Sequence, residues 1–186
     1  MTFEELRADY LARRKRVPSL PITGIIVYAA AAAASLVFDA AYHNLILALC
    51  FWSIMPVAGL IQQIRGDRLN PNPANPLFRL GEMARLMVLS TWAIHIPVWI
   101  HAPDLLPLTI GIAFALHWVI LSWILAHPLG LVHLGLRIVL VTAAWHLVPE
   151  NRMGAVALAV SLSYGYSCWQ MSRARFVAAG PVTPAP

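Results

Sequence analysis

The alternation of apolar and polar stretches divides the chain into six long hydrophobic segments joined by short polar links. Each segment is close to the ~20 residues that an α-helix needs to cross the hydrocarbon core of a bilayer. The links between the last four are very short, so those helices must be antiparallel neighbours. The pattern predicts an all-α membrane protein with six transmembrane helices within residues 19–173, at about 22–40, 44–64, 84–102, 105–126, 129–147 and 153–172.

The two ends of the chain differ from this apolar middle. In residues 1–18, Thr2 and Glu5 have capping-box spacing, and Pro18 ends the segment. Four apolar side chains share one helical face: Phe3, Leu6, Tyr10 and Leu11. We predict a short amphipathic helix on the cytoplasmic membrane surface, in preference to a nucleic-acid-binding arm, because its basic run directly adjoins an apolar span. The proline and small residues of 174–186 predict a disordered cytoplasmic tail.

Composition and charge placement support a membrane protein and indicate its orientation. Hydrophobic residues make up 60% of the chain and charged residues 11%, against ~25% charged in soluble domains. Eleven of the thirteen lysines and arginines lie in the N-terminal region, in the link between the second and third spans, or at the C-terminal end. Arg152 alone is on the opposite side, and Arg137 is inside a span. Positive charge stays cytoplasmic, so we expect a bacterial inner-membrane protein with both termini in the cytoplasm.

Arg137 is the residue that most needs an explanation, because a charge in mid-span costs about 2.5–3.5 kcal/mol on insertion scales. His133 lies four residues earlier on the same helical face. The threading brings His117 close to the depth of Arg137 and places His95 one turn further out. These four residues predict a polar pocket for a small anionic or amphiphilic ligand. The alternative is that Arg137 has a structural role. Its charge would then be compensated by Glu82, by backbone carbonyls that lack a helical hydrogen bond, or by water.

Other kinds of site find less support. The histidines do not form an HExxH pattern, so we predict no metal and no cofactor, with a haem or quinone site as a weaker alternative. No GxSxG elbow, paired carboxylates or glycine-rich phosphate loop is present, and the sequence therefore favours a protein that is not an enzyme. Cys50 and Cys168 should be free, buried thiols, because the threading places them at different depths.

Two stretches resemble a known family. They are "NPLFRLGE" at 75–82 and "LHWVILSWIL" at 116–125. Together with the basic N-terminal helix, they are similar to a small bacterial multi-pass membrane-protein family of unknown function. The resemblance implies a fold and no chemistry, and it rests on Asn75, Pro76, Leu77, Leu80, Gly81, His117, Ser122 and Trp123.

The leading functional hypothesis is a protein that binds or transports a small anionic or amphiphilic molecule. The lipid bilayer is the expected partner, nucleic acid is not, and the oligomeric state is left open. The second hypothesis is an accessory or structural membrane protein that acts through its cytoplasmic surface helix and Asn-Pro loop. The third is a membrane redox protein with haem or quinone.

Overall fold

A computed structural model describes residues 1–15, 17–66 and 72–174. Over these ranges the chain forms nine α-helices and no strand, which confirms the all-α prediction. The helices are α1 (Phe3–Arg13), α2 (Ser19–Ala34), α3 (His43–Arg65), α4 (Pro76–Ser90), α5 (Trp92–His101), α6 (Leu106–Ala113), α7 (His117–Leu125), α8 (Leu129–Leu147) and α9 (Arg152–Arg173). Short 3-10 turns at Ala40–Tyr42, Pro103–Leu105 and Pro149–Asn151 connect them.

Among the described residues, four helical segments, not six, are long and apolar enough to cross a membrane. They are Ala40–Arg65, Pro76–His101, Pro103–Leu125 and Leu129–Leu147. The first predicted span is shorter than expected, because α2 ends at Ala34 and Asp39 caps the following turn. At 16 residues α2 rises only ~24 Å, less than the ~30 Å of hydrocarbon. The last predicted span, α9, is long enough, but its serine, tyrosine and glutamine residues make it less apolar than a typical membrane-spanning helix.

The two helices that miss these criteria form the centre of the bundle. α2 and α9 pack against each other more extensively than any other pair that the structure describes. Gly24 on α2 faces the ring of Tyr164 on α9, and the Ser161 hydroxyl donates to the carbonyl of Ile25 at 2.9 Å. α3 lies against α2 and α8 against α9, so both central helices have a long apolar helix beside them. The polar side chains Ser161, Ser163 and Ser167 of α9 are therefore covered by protein.

Two of the apolar segments are interrupted. The segment Pro76–His101 breaks at Thr91, whose hydroxyl bonds back to the Val88 carbonyl at 2.6 Å. The segment Pro103–Leu125 breaks at 114–116, where Ala115 and Leu116 donate to carbonyls three residues earlier instead of four. Such 3-10 tightening in mid-helix is typical of strained or functional positions. The sequence predicted continuous helices here, and the second break lies directly before His117.

The N-terminal helix is docked onto the bundle. The capping box of Thr2 and Glu5 is present as predicted. The ring of Tyr10 contacts Phe78 on α4 at 4.5 Å between centroids, and Phe3 contacts Trp123 on α7 at 4.9 Å. The apolar face that the sequence assigned to lipid thus covers protein.

Hydrogen bonds hold α1 in place beside the start of α4. The Asp9 carboxylate accepts from the side-chain amides of Asn72 and Asn75, each at 2.8 Å, and pairs with Arg13. These bonds hold the pKa of Asp9 well below its ordinary value, at about 2. Asn75 also donates to the Leu6 carbonyl at 2.8 Å, so one amide connects α1 to the cap of α4.

The charged residues separate onto the two ends of the bundle. Arg7 bonds to the carbonyls of Trp123 and Ile124, and Arg65 bonds to the carbonyl of Val17, so α1, the ends of α3 and α7 and the start of α2 meet at one end. At the other end Arg152 pairs with Asp104 at 3.4 Å.

Three of the basic residues that indicated the orientation, and the predicted C-terminal tail, are not described by the structure. Arg16, Arg68, Arg175 and the predicted disordered tail from 175 onward lie outside the described residues. Cys50 and Cys168 are free as predicted, but each is only partly buried.

Candidate functional site

A cavity of about 550 Å³ lies between α3, α4, α7 and α9 at the basic end of the bundle. The segment after α1 closes it on one side, and Phe114, from the break between α6 and α7, reaches its wall. Small-molecule sites in proteins enclose ~300–1,000 Å³, so the cavity is large enough for a ligand.

The lining of this cavity changes character along its length. Charged side chains cluster where α1 ends: Arg14, Lys15, Glu82 and Arg85. Deeper in, the wall is aromatic and aliphatic, with Phe51, Trp52, Phe114, Trp118 and Leu121. The rings of Phe51 and Phe114 are stacked at 4.0 Å between centroids. This lining would suit an amphiphilic ligand that has a charged group at one end and an apolar chain at the other.

The cavity also has an apolar rim. α3 and α4 both line it but make few contacts with each other. Four side chains along their facing edges are at once cavity-lining and exposed, Trp52 at 54%, Met55 at 49%, Leu86 at 56% and Leu89 at 37%. On a membrane-spanning pair of helices, such exposed apolar residues face lipid.

Arg137 lies behind this cavity, not in it. Its side chain is fully buried, at 0% exposure, and its Nε donates to the carbonyl of Gly111 at 2.7 Å. The guanidinium carbon is 5.0 Å from the ring centroid of Tyr164 and 5.7 Å from that of Tyr28. Both ring faces attract the cation. Among the described residues, Arg137 has no ion pair with a carboxylate, and the predicted partner Glu82 instead lines the cavity.

The helix break explains why the carbonyl of Gly111 is available. In a regular α-helix that carbonyl would accept from the amide of Ala115. Here the amide of Ala115 donates to Ile112 at 3.0 Å instead. Gly111 also has no room for a side chain, since an added Cβ would lie 2.8 Å from Val141 of α8. The break and the glycine together let α6 present a backbone acceptor to Arg137.

His133 belongs to the same buried cluster. Its ring stacks on Trp118 at 3.8 Å between centroids, and it lies 5.2 Å from the ring of Tyr164. Its Nδ1 is 2.7 Å from the Ser167 hydroxyl of α9. We call Tyr28, Trp118, His133, Arg137 and Tyr164 the arginine cluster. Two of its members, Trp118 and Tyr164, also line the cavity, so the two features share a wall.

The structure divides the four predicted site residues among three places. Arg137 and His133 lie together in the arginine cluster. His117 lines the cavity, 6.0 Å from Trp118 between ring centroids. His95 is separate: it is buried, lies 3.2 Å from the hydroxyl of Thr109 and meets Trp92 edge to face. Their joint role in binding a ligand stays a prediction.

Several residues of this region escaped sequence reasoning. Gly111 contributes a carbonyl, which leaves no trace in a list of polar side chains. The cavity aromatics Phe51 and Phe114 look like ordinary apolar residues of a span. Tyr28 could have been found, because it is the one hydroxyl-bearing aromatic residue in the otherwise apolar stretch 25–34. Tyr164 could have been found as well, because it lies with Ser161 and Cys168 along one polar stripe of the last predicted span.

Comparison with known proteins places the chain in a family. A model described as a family of unknown function, DUF7010, matches residues 3–174, nearly the whole chain. The match confirms the resemblance to an uncharacterised family and leaves a bacterial source and a multi-pass topology as expectations. No curated protein and no solved structure matches the chain.

Proposed function

The chain belongs to the DUF7010 family, and from that premise we propose that it is a membrane protein that binds an anionic, lipid-like amphiphile. The observation that carries the proposal is the cavity, which combines a cationic end, an aromatic wall and an apolar rim. Neither a soluble anion nor a neutral lipid would use all three features.

The cationic end favours an acidic head group. Among the described residues, Arg14, Lys15 and Arg85 line the cavity with only one carboxylate, that of Glu82. Arginine and lysine are the residues that usually hold phosphate in proteins. Arg85 is half-buried, which reduces the screening of its charge by solvent. A phosphate-bearing head group would satisfy this end.

The rim indicates where the ligand comes from. Because Trp52, Met55, Leu86 and Leu89 are both exposed and cavity-lining, an acyl chain could pass between α3 and α4 without crossing a polar barrier. The ligand would therefore enter from the bilayer and keep its chain in an apolar environment throughout.

The proposed orientation follows from the charged ends of the bundle. We propose that the basic end faces the cytoplasm of a bacterial cell, with the protein in the inner membrane. We further propose that α2 and α9 cross alongside the four apolar segments, so that both termini are cytoplasmic. The head group would then lie at the level of the inner leaflet.

The test is direct binding of lipid to the purified full-length protein in neutral detergent. Phosphatidic acid and phosphatidylcholine with the same acyl chains serve as probes, and complexes are counted by native mass spectrometry. We expect wild-type protein to retain phosphatidic acid preferentially. Arg85→Gln should weaken that binding roughly tenfold or more, since a hydrogen bond to a charged group contributes ~1.5–3 kcal/mol.

A matched control lies on the same helix. Arg79→Gln removes an equally positive residue that is exposed and does not line the cavity, so phosphatidic acid binding should be unchanged. If both variants lose phosphatidic acid binding equally, the anionic lipid binds the surface charge and not the cavity. If wild-type protein retains the two lipids equally, the proposal is wrong.

The two other hypotheses from the sequence stay predictions. An accessory role would have to use a surface other than the apolar face of α1, because that face already contacts the bundle. For a redox role, the described residues contain no group of three or more histidine, cysteine or acidic side chains placed to hold a metal.

A further inference from the structure

The arginine cluster contains an excess of hydrogen-bond donors. Nη1 and Nη2 of Arg137 are buried and have no hydrogen-bond partner among the described residues. The same holds for the indole Nε1 of Trp118, the hydroxyl of Tyr28 and the Nε2 of His133. A guanidinium and an indole can only donate, and a phenol can donate. Nδ1 of His133 lies beside the Ser167 hydroxyl, and the tautomer of the ring decides whether Nε2 donates or accepts.

The contacts that Arg137 does make leave this excess in place. The faces of Tyr28 and Tyr164 attract the positive charge but offer no hydrogen-bond acceptor in the plane of the guanidinium. The Gly111 carbonyl satisfies Nε. The Tyr28 hydroxyl lies near the guanidinium and accepts at most one of the four N–H groups on Nη1 and Nη2, so buried donors remain without an acceptor. What the cluster requires is an acceptor.

Because the unsatisfied groups are hydrogen-bond donors and the site is positively charged, they indicate which kind of ligand would bind. A water molecule brings donors as well as acceptors and leaves the charge of Arg137 uncompensated. A small anion brings only acceptors and neutralises the charge in a region of low dielectric constant, where opposite charges attract most strongly. We propose that the arginine cluster is a binding site for a small monovalent anion, either a halide such as chloride or a small carboxylate such as formate. This site is distinct from the lipid cavity, since Arg137 does not line the cavity.

The site should be detectable through anion-dependent stability. A ligand that binds only the folded state raises stability as its concentration exceeds the dissociation constant. We would measure the thermal unfolding midpoint of the full-length protein in neutral detergent at constant ionic strength, while chloride or formate replaces gluconate. The wild-type midpoint should rise with the logarithm of the small-anion concentration, and the stronger of the two responses identifies the preferred anion.

Variants of the donors give the matched comparison. Tyr28→Phe removes one donor and keeps the ring over the guanidinium, so the rise should need roughly tenfold more anion. Tyr42→Phe makes the same chemical change at an exposed tyrosine and should follow wild type. Arg137→Gln, where it folds, should lose the response. Crystals grown in bromide should show an anomalous peak beside Nη1 and Nη2 of Arg137.

Several results would overturn this assignment. One is a wild-type midpoint that is the same in chloride, formate and gluconate. Another is an identical response in wild type and Tyr28→Phe, because a general salt effect does not depend on that hydroxyl. Arg85→Gln should leave the anion response intact. A response lost in Arg85→Gln would place the anion in the lipid cavity and not at Arg137.

Discussion

At the scale of single residues, two glycines determine how closely the helices around Arg137 can pack. Gly111 brings α6 against α8, and Gly24 brings α2 against the ring of Tyr164, where an added Cβ would lie 2.6 Å from ring carbons. Because Tyr164 covers the guanidinium and also lines the cavity, its position matters for both proposed sites.

Replacing Gly24 tests this packing. Gly24→Val should lower the free energy of unfolding by about 1–3 kcal/mol, the usual cost of overpacking a tight interior, because the Tyr164 ring must move. Thermal unfolding in detergent measures the change. Gly135→Ala on α8 is the control, since nothing lies within 4 Å of its added Cβ, and it should be neutral or slightly stabilising. An equal loss in both variants would mean that contact with Tyr164 is not responsible, because alanine and valine both favour a helix more than glycine does.

At the scale of elements, the helices and the breaks within them have different origins. The break at 114–116 contains no proline or glycine that would signal it in the sequence. Tertiary packing determines it instead: Phe114 reaches the cavity wall, and the Gly111 carbonyl that the break releases is taken by Arg137 on α8. The break therefore exists because α6 and α8 meet, which a one-dimensional pattern does not show.

The docking of α1 also depends on tertiary contacts and should respond to pH. The low pKa of Asp9, about 2, means that the charged carboxylate stabilises the docked helix. That stabilisation is complete above the ordinary value of 3.8 and is lost as the pH falls toward 2. A nitroxide on Ala12→Cys, with Cys50 and Cys168 replaced by alanine, would report the mobility of α1 by electron paramagnetic resonance. Its spectrum should be unchanged from pH 7 to pH 5 and become more mobile only below about 4.

The substitution Asp9→Asn should reproduce the acidic state at pH 7, because it removes the charge and keeps the shape of the side chain. The label on α1 should then be mobile at neutral pH. An immobile label in Asp9→Asn would show that the ring contacts of Phe3 and Tyr10 hold α1 without the carboxylate.

At the scale of the whole molecule, the separation of charge between the two ends is the feature that sequence and structure share most fully. The sequence grouped the N-terminal region, the link after the second span and the C-terminal end on one side, and contacts such as that of Arg65 with Val17 bring the described parts of these regions together. The grouping of basic residues is predicted correctly even when the span boundaries are a few residues off, because it depends only on which links contain lysine and arginine.

This arrangement predicts opposite accessibility of the two ends. In a cysteine-free background, Glu150→Cys should react in intact cells with a maleimide that cannot cross the membrane. Ala74→Cys, in the loop that contacts α1, should react only after the cells are opened. Both positions are exposed in the structure, so a difference in labelling reports the side of the membrane. Labelling of Ala74→Cys in intact cells would reverse the proposed orientation.

How far the sequence predicted the molecule depends on the kind of information each feature needs. Helical class, the capping box and the burial of Arg137 follow from local pattern and hydropathy. Six helices long and apolar enough to span were predicted and four are found among the described residues, because a window of apolar residues does not show that α2 stops at Ala34. The cavity was missed because it is a space between α3 and α4, and spaces arise from helices that fail to meet. His95 was grouped with Arg137 by depth alone, without the rotation of its helix.

The position of α2 and α9 has a consequence for biogenesis. Helices this short or this polar partition poorly into lipid when they leave the ribosome alone, whereas the four apolar segments can enter the bilayer independently. α9 is also made after the other eight described helices. Until it arrives, the face of α2 that contains Gly24 has no partner, so maturation of the bundle should be a late, concerted event that a nascent chain ending before Arg152 could not complete.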